Sequence, residues 1–305
     1  MKDQQVLSTE LAVPLRLLRG VASNHKKFYM YQRRQIGKKR RLLRIPTGPL
    51  REIQQTIKKK LLDPMPLPPS MHGWRRKRSP KTYSREHVAQ QVVVNADIQN
   101  FFPSVGAGRV YGFWVEAGYD PGAAKLLTLL TTLDNQLPQG SPTSQSLGNQ
   151  ILRGLETRLA GLANQHDLNL GIYGDEVALS GRRRTARLKG LVLKIIEQEG
   201  FAANPGKIKV MPRDQRQELT GVVVNKKSSP GRATYRELRA VLHNCIRFGL
   251  ESQNRQANPK FKEHLQGRIA QLQYLNPRLG HQLLADFQLI QWPESDRRGG
   301  PNATR

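Results

Sequence analysis

The chain has 305 residues, with 50 Lys and Arg against 23 Asp and Glu, and a single cysteine, Cys245. One cysteine excludes a disulfide framework and a zinc site built from cysteines, and no apolar run approaches the roughly 18–20 residues of a membrane span. The net charge of +27 far exceeds what solubility requires, so we expect a polyanion, and specifically a nucleic acid, as partner. The N-terminus lacks the pattern of a secretory signal, so we expect a cytoplasmic protein.

The first third of the chain is predicted to be mainly helical. Residues 5–35 carry leucine at helical spacing, residues 40–46 alternate as a strand does, and residues 50–62 form a basic amphipathic helix. A proline-rich connector over residues 63–69 then stops the helix, because proline cannot continue it.

The middle of the chain mixes short strands with helices. In chain order we expect a strand at 92–98, helices at 108–117, 123–133 and 145–162, a β-hairpin at 171–179, a helix at 186–199, and short strands at 208–210 and 219–224. After residue 231 the pattern is almost purely helical, over residues 235–248, 264–274 and 280–290. The sequence therefore predicts an α+β chain with a helical C-terminal domain.

Carboxylates stand in two apolar, strand-like runs of this basic chain. Asp97 ends the run that starts at Val92, and Asp175 and Glu176 interrupt the run from Leu170. Burying a lone carboxylate costs several kcal/mol unless a cation or hydrogen bonds compensate. Side by side, the two segments would form a pocket of three carboxylates, and a pair of divalent metal ions would neutralise it. The sequence therefore predicts a metal-dependent enzyme that acts on nucleic acid.

Three motifs around these carboxylates follow one another in order: Asp97-Ile-Gln-Asn-Phe-Phe-Pro-Ser, Leu137-Pro-Gln-Gly-Ser-Pro-Thr-Ser-Gln and Tyr173-Gly-Asp-Glu. They resemble the central palm motifs of reverse transcriptases, whose usual forms are Asp-x-x-x-Phe-Phe, Pro-Gln-Gly-x-x-x-Ser and Tyr-x-Asp-Asp. Any one of these motifs alone is weak, whereas the ordered set is specific.

The resemblance extends to both sides of the palm motifs. Arg41-Leu-Leu-Arg-Ile-Pro, with Gln54, is similar to the fingers motif, and Gly200-Phe-Ala-Ala-Asn-Pro-Gly-Lys is similar to the motif that follows the palm hairpin. Leu219-Thr-Gly-Val-Val-Val-Asn is similar to a segment of retron reverse transcriptases. The chain thus resembles the retron type of reverse transcriptase over most of its length.

The resemblance implies a site for two Mg²⁺ ions, with Mn²⁺ as an alternative, at Asp97, Asp175 and Glu176. Two metal ions clamp the entering and leaving oxygens when a primer hydroxyl attacks an α-phosphate. Magnesium prefers carboxylate oxygen and retains water, so it needs few protein ligands. Asp97 and Asp175 are expected to bridge both ions.

The resemblance also implies five nucleotide-binding residues: Arg41, Phe102, Gln139, Gly140 and Lys207. In the family, an aromatic residue at the position of Phe102 packs under the sugar and excludes a ribose 2′-hydroxyl. Because strand alternation places neighbours on opposite faces, only one of Phe101 and Phe102 is expected to line the site. Gly140 permits close backbone approach. Arg41 would hold the triphosphate, and Lys207 would protonate pyrophosphate.

A further set of residues is expected to contact nucleic acid: Arg75, Arg76, His87, Thr220 and Gly221. His87 aligns with the histidine of the Asn-Ala-x-x-His signature of retron enzymes, although Tyr83 and Ser84 replace Asn-Ala here. Thr220 and Gly221 lie in the retron-like segment, and the two arginines lie in a basic run.

Two residues depart from the palm motifs. Glu176 stands where the family has its second aspartate, and the extra methylene displaces the carboxylate by roughly an ångström, an error that can cost about 10²-fold in rate. Gln145 stands where most relatives carry proline, and Ser-Gln at this place resembles the enzymes of diversity-generating retroelements.

The resemblance implies a right-hand polymerase fold. Its predicted parts are N-terminal helices and fingers (1–96), a catalytic palm (97–231), a helical thumb (232–292) and a disordered tail (293–305). The expected function is that of a retron RNA-directed DNA polymerase, which copies part of a structured noncoding RNA into branched multicopy single-stranded DNA from dNTPs. The resemblance further implies an effector protein and a role in anti-phage defence.

Two other interpretations stay open at this point. The chain could be a catalytically silent scaffold that binds RNA or an RNA–DNA hybrid, in which Glu176 marks the decay of the palm. It could also be a polymerase of the diversity-generating or group II-intron type. The segment at Leu219 and the helical C-terminal domain count against the diversity-generating type.

Overall fold

The computed structural model describes residues 1–36 and 39–293 of the chain. The chain divides into two compact units, Met1–Gln217 and Glu218–Arg305, called unit 1 and unit 2 below. The predicted tail, residues 293–305, lies outside the described residues from position 294 onward.

Unit 1 combines helices with two antiparallel sheets. Its α-helices are α1 (Gln4–Leu11), α2 (Leu15–Ser23), α3 (Gly48–Ile57), α4 (Pro80–Arg85), α5 (Phe101–Ser104), α6 (Ala107–Glu116), α7 (Pro121–Thr131), α8 (Ser144–Ile151), α9 (Arg153–Gln165) and α10 (Lys189–Gln198). Its strands are β1 (Tyr29–Ile36), β2 (Lys39–Pro46), β3 (Val92–Asp97), β4 (Asn169–Tyr173), β5 (Glu176–Gly181) and β6 (Lys209–Pro212). Short 3₁₀ or π turns lie at His25–Phe28, Lys58–Leu62, Arg183–Leu188 and Pro205–Lys207.

The N-terminal helices are shorter than their leucine spacing predicts. Asp3 starts α1, because its side chain accepts hydrogen bonds from two backbone N–H groups of the first turn. Ala12 ends the helix in a left-handed conformation, with φ 54°. The prediction of a helix over residues 5–35 is wrong from β1 onward, since β1 pairs with β2 along its whole length as an antiparallel hairpin. The leucine spacing does not extend into β1, which contains no leucine, and pairing with β2 sets the conformation there.

Two other predicted helices are interrupted. The prediction over residues 145–162 corresponds to α8 and α9, which are separated at Leu152. The prediction over residues 186–199 corresponds to a 3₁₀ turn followed by α10. The positions of these helices are confirmed, although each is broken once.

A four-stranded antiparallel sheet in the order β4-β5-β3-β6 forms the centre of unit 1. Its register sets Asp97 opposite Glu176, and Glu176 opposite Tyr173, so these three side chains share one face. The other face carries Ala96 and Val177, which belong to the main hydrophobic core. Antiparallel strands covered by helices confirm the predicted α+β class.

A short helix, α4, packs beside the sheet and is capped by its own sequence. The side chain of Ser79 accepts a hydrogen bond from the N–H of Thr82, while Oγ1 of Thr82 accepts one from the N–H of Ser79. This reciprocal pair is a capping box, which fixes the start of a helix. The cap sets the direction of Tyr83 and His87, which are both fully buried.

The burial of two histidines keeps them neutral. Nδ1 of His87 lies 2.7 Å from Oγ of Ser180, and a Cβ on Gly171 would lie 2.6 Å from its Nε2. Burial lowers the pKa of His87 to about 3, and the nearby His72 adds to this effect. Burial also lowers the pKa of His72 to about 4, with the arginines at 75 and 78 contributing. Each imidazole is therefore uncharged in the fold at neutral pH.

Gln54 on α3 ties together three parts of unit 1. Its buried Nε2 donates to the hydroxyl of Tyr29 at 3.0 Å and to the carbonyl of Leu130 at 2.8 Å. Its Oε1 accepts from Oγ of Ser141 at 2.7 Å. Both amide protons are satisfied, so this glutamine joins β1, α7 and the loop before α8 without an unpaired donor.

Unit 2 has its own core. Its strands are β7 (Glu218–Leu219), β8 (Val222–Val223) and β9 (Ser229–Pro230), and its helices are α11 (Arg232–Phe248), α12 (Phe261–Leu275) and α13 (Pro277–Gln288). Leucines on the three helices, among them Leu238, Leu265 and Leu283, are buried together. The helical pattern expected after residue 231 is confirmed. The division into palm and thumb at residues 231 and 232 stays a prediction, and the strands of residues 218–230 group with unit 2.

Among the helices of residues 1–36 and 39–293, none combines the length and apolar character needed to cross a bilayer.

Replacing Gln54 with leucine is expected to destabilise the protein by about 1–3 kcal/mol, the cost of leaving buried hydrogen-bonding groups unpaired. The measurement is the free energy of unfolding in urea. The control is Gln55→Leu, an exposed neighbour on the same helix, which should stay within about 0.5 kcal/mol of the original protein. Equal effects of the two substitutions would contradict the connecting role of Gln54.

The buried His87 is expected to make stability depend on pH. Its folded pKa of about 3 lies below the unfolded value of about 6.5, so the unfolded chain binds more protons between these values. Stability is therefore fully present above pH 6.5 and falls as the pH decreases towards 3. His87→Asn removes the titrating group and should reduce the loss of unfolding free energy between pH 7.5 and pH 5.

The matched control is His166→Asn, which changes an exposed histidine of unit 1. That variant should lose as much stability on acidification as the original protein does. A His87→Asn protein with the same pH dependence as the control would rule out this explanation.

Candidate active site

Two of the predicted metal ligands, Asp97 and Asp175, lie next to each other. Asp97 ends β3 and is 8% exposed, and Asp175 lies in the turn between β4 and β5. Gly174 precedes it with φ +64°, a conformation that a tight turn demands and glycine adopts without strain. The N–H of Ile98 donates to the carbonyl of Asp175 at 2.8 Å, which joins the end of β3 to the turn. Antiparallel pairing thus brings together two carboxylates that are far apart in sequence.

Lys207 forms an ion pair with Asp97. Its Nζ donates to Oδ2 of Asp97 at 2.5 Å. The N–H of Asn204 donates to the carbonyl of Asp97 at 2.7 Å, and the side chain of Asn204 accepts from the N–H of Gly206. The asparagine and lysine of this motif therefore act together, because one fixes the turn and the other places a cation on the carboxylate.

The charges around Asp175 oppose one another. Burial raises the pKa of Asp175, and the negative charge of Asp97 raises it further. Lys207 and Arg41 act in the opposite direction. Two poorly solvated carboxylates that repel each other are stabilised by a cation, so this pair is suited to a divalent metal ion, which prefers such oxygen ligands.

Glu176 has a second neighbour besides the aspartates. It shares a sheet face with Tyr173, whose ring centroid lies 5.7 Å from that of Tyr83. Burial raises the pKa of Tyr83 well above its usual value, and the carboxylate of Glu176 raises it further. The carboxylate of Glu176 thus lies close enough to the hydroxyl of Tyr83 to raise its pKa. Within the ranges 1–36 and 39–293, no three His, Cys, Asp or Glu side chains form a group arranged to hold a metal ion.

A cavity of about 520 Å³ contains four of the five predicted nucleotide-binding residues: Arg41, Phe102, Gln139 and Gly140. Small-molecule sites commonly have volumes of about 300–1,000 Å³. The fifth residue, Lys207, is the partner of Asp97. Arg41 connects the cavity to the carboxylates, because its charge also acts on Asp175.

The loop that carries Gln139 and Gly140 is fixed against β2. The N–H of Arg44 donates to the carbonyl of Gln139 at 2.7 Å. Gly140 has φ +113°, and a Cβ there would lie 3.1 Å from the carbonyl oxygen of Arg44. Oγ of Ser144 donates to the carbonyl of Pro138 at 2.8 Å. Glycine suits this position because its φ is positive and because a Cβ would be in tight contact with the strand. The hydroxyl of Ser144 helps to hold the loop.

Only one of the two phenylalanines lines the cavity, but the predicted reason is wrong. Phe101 and Phe102 begin the short helix α5 and do not lie in a strand, so strand alternation does not separate them. The helical turn directs Phe101 into the core, where it is 2% exposed. Phe102 is half-buried and faces the cavity.

The residues predicted to contact nucleic acid lie in three separate segments of the chain, and one of them is buried. His87 is fully buried, so its imidazole presents no surface to a nucleic acid. Arg75 is partly buried and its guanidinium donates to the carbonyl of Pro68 at 2.8 Å, whereas Arg76 is exposed. In unit 2, Thr220 and Gly221 form the turn between β7 and β8 with φ of +46° and +79°.

Sequence reasoning missed Trp74, which lines the same cavity as Phe102. A tryptophan after a glycine carries no functional signal in one sequence, and the contacts of Trp74 come from segments far apart in the chain. A larger cavity of about 720 Å³, lined by residues such as Arg109 and Gln150, contains none of the predicted site residues.

Comparison with known proteins gives relatives from one group, although no family model matches the chain. The retron Mx65 reverse transcriptase of Myxococcus xanthus is 35% identical over 263 residues, which cover 80% of this chain and 60% of that protein. The retron Ec86 reverse transcriptase of Escherichia coli is 30% identical over 236 residues, which cover 76% of this chain and 73% of that protein.

A third relative, the retron Mx162 reverse transcriptase of Myxococcus xanthus, is 30% identical over 302 residues, covering 87% of this chain and 60% of that protein. Among solved structures, telomerase from Candida albicans in complex with a fragment of telomeric RNA has a TM-score of 0.47 at 9% identity, covering 90% of this chain and 65% of that one. The chain thus spans about three fifths of the two Myxococcus relatives and nearly three quarters of the Escherichia coli protein. The predicted resemblance is confirmed, and the chain belongs to the family of retron reverse transcriptases.

Proposed function

We propose that the chain is an RNA-directed DNA polymerase that extends a primer hydroxyl with dNTPs. The observation that carries this proposal is the position of Asp97 and Asp175 beside a cavity that Arg41 shares with Phe102 and Gln139. A carboxylate pair suited to divalent metal ions and a polar cavity of nucleotide size are the two parts that such a reaction needs.

In this proposal Asp97 and Asp175 hold two Mg²⁺ ions. Bound there, the ions would stabilise the charge on the attacking and leaving oxygens of the phosphoryl transfer. Arg41 would hold the triphosphate by its charge, and Gln139 and Gly140 would contact the nucleotide from their fixed loop. Lys207 donates a hydrogen bond to Asp97 as a charged ammonium, and from this position it would supply a proton to the departing pyrophosphate.

The side of the cavity that Phe102 occupies would face the sugar. Its ring is half-buried and packed against other aromatic rings, so it cannot move aside freely. A ribose 2′-hydroxyl would then collide with an apolar ring and would lose its hydration without gaining a hydrogen bond. Phe102 would therefore favour deoxynucleotides.

The finer features of the proposal rest on the family. The template would be a structured noncoding RNA that also supplies the primer, and the product would be branched multicopy single-stranded DNA. The basic charge of the chain fits such a partner. An effector protein and a role in anti-phage defence belong to the same proposal.

A second candidate function is a scaffold that binds RNA or an RNA–DNA hybrid without polymerising. The observation that favours it is Glu176, which replaces the second aspartate and lies beside Tyr83. The two functions differ in one measurement, the extension of a DNA primer on an RNA template with dNTPs and Mg²⁺. RNA binding without extension would favour the scaffold.

Asp97→Asn and Asp175→Asn are each expected to lower the rate of DNA synthesis by more than about 10²-fold, the loss that misplacement of a reacting group by about 1 Å already causes. RNA affinity, measured by filter binding, should stay unchanged, because neither carboxylate attracts phosphate. The matched control is Asp214→Asn, at an exposed position of unit 1. Normal synthesis by either active-site variant would refute the assignment of these two residues.

The variant Glu176→Asp distinguishes two explanations for this glutamate, a weakened metal site and a pocket matched to the longer side chain. If the glutamate only replaces the family's aspartate, the shorter side chain should preserve or raise the rate of synthesis. If the pocket beside Tyr83 is matched to the longer side chain, the rate should fall, and Glu176→Gln should retain more activity than Glu176→Asp. The readout is the rate of primer extension at saturating Mg²⁺.

A further inference from the structure

The segment from Ser70 to Trp74 is attached to the strand that leads into the catalytic turn. The N–H of Ile172 donates to the carbonyl of Ser70 at 2.8 Å, and the N–H of His72 donates to the carbonyl of Ile172 at 2.7 Å. Met71 forms a parallel bridge with Ile172. The segment therefore runs along the free edge of β4 as a short additional strand, and Trp74 stands where this attachment ends.

Glycines make the close approach of this segment possible. A Cβ on Gly73 would lie 2.1 Å from the backbone nitrogen of Gly174, and a Cβ on Gly174 would lie 2.8 Å from Cζ2 of Trp74. Both distances are shorter than real carbon contacts allow. The side chain of Asn149 adds a buried hydrogen bond of 2.9 Å to the carbonyl of Gly73. The indole of Trp74 thus rests directly on the turn that carries Asp175.

The same indole packs against the aromatic residues of α5. Its ring centroid lies 5.1 Å from that of Phe102 and 6.1 Å from that of Phe101, which it stacks on at 19°. Trp74 itself has φ +52°, a costly conformation for a bulky residue that persists only where the surroundings fix it. One side chain therefore contacts both the catalytic turn and the ring at the wall of the cavity.

We propose that Trp74 is a positioning residue that holds the ring of Phe102 against the nucleotide sugar, and that it thereby sets the selection of deoxynucleotides over ribonucleotides. This inference rests on the proposed polymerase function. Without the indole, the Phe102 ring would lose a neighbour that it packs against at 5.1 Å and would gain space to move. It could then rotate away from the sugar and admit a 2′-hydroxyl.

The test compares kcat/KM for dATP and for ATP during extension of a DNA primer on an RNA template with Mg²⁺. An apolar pocket rejects an added hydroxyl by about 10²-fold. Trp74→Ala is expected to lower the ratio of the two kcat/KM values by at least about tenfold. Trp74→Phe keeps an aromatic ring in contact and should lower the ratio less.

The matched control is Trp114→Phe, which changes a fully buried tryptophan whose ring packs on Tyr119 and Phe113. It is expected to leave the ratio of dATP to ATP unchanged, even if both rates fall because the fold is weaker. An unchanged ratio in both folded Trp74 variants would overturn the proposal. Folding of each variant is verified by its unfolding midpoint in urea.

Failure of the proposed polymerase function gives a different result from failure of the inference about Trp74. If the original protein extends no primer, the polymerase assignment is wrong, and the selection is then measured from the dissociation constants of dATP and ATP. Binding is followed by fluorescence in a Trp114→Phe, Trp292→Phe protein, in which Trp74 is the remaining tryptophan. Quenching of this signal by dATP at lower concentrations than by ATP supports the part of the proposal that places Trp74 at a site selective for deoxynucleotides, and equal or absent quenching overturns the proposal.

Discussion

The proximity of two negative charges, Asp97 and Asp175, is the constraint on which the rest of the site depends. The register of the antiparallel sheet places them at one end of a poorly solvated layer, where their repulsion must be compensated. Lys207 and Arg41 supply positive charge from two different segments. Arg41 also lines the nearby cavity, so one side chain takes part in both the compensation and the cavity.

Backbone hydrogen bonds attach two of the segments that surround this site. The loop at Gln139 is bonded to the strand of Arg44, and the segment ending at Trp74 is bonded to β4. Each attachment brings a glycine into contact with the backbone of another segment, Gly140 with that of Arg44 and Gly73 with that of Gly174. Groups that must face a substrate are thereby held by rigid elements, which is the usual condition for precise positioning.

Much of this molecule could be predicted from the sequence, because the motifs are local and their order is specific. The strand ending at Asp97, the hairpin turn at Asp175 and the glycine of the Gln139 loop all follow from short patterns. The role of Phe102 was anticipated through strand alternation, although a helical turn is the actual cause. Trp74 could not be anticipated, since its neighbours come from three distant segments and no spacing in one sequence reveals such a contact.

The close packing of Gly73, Gly174 and Trp74 restricts the substitutions that the protein can accept. A side chain at Gly174 would collide with the indole and would also have to adopt φ +64°, so a smaller residue at position 74 removes only one of the two obstacles. Gly73 has no such route, because its obstacle is backbone and not a replaceable side chain. Directed evolution of this site would therefore meet two fixed glycines, and of these three positions only Trp74 offers a side chain that can be varied.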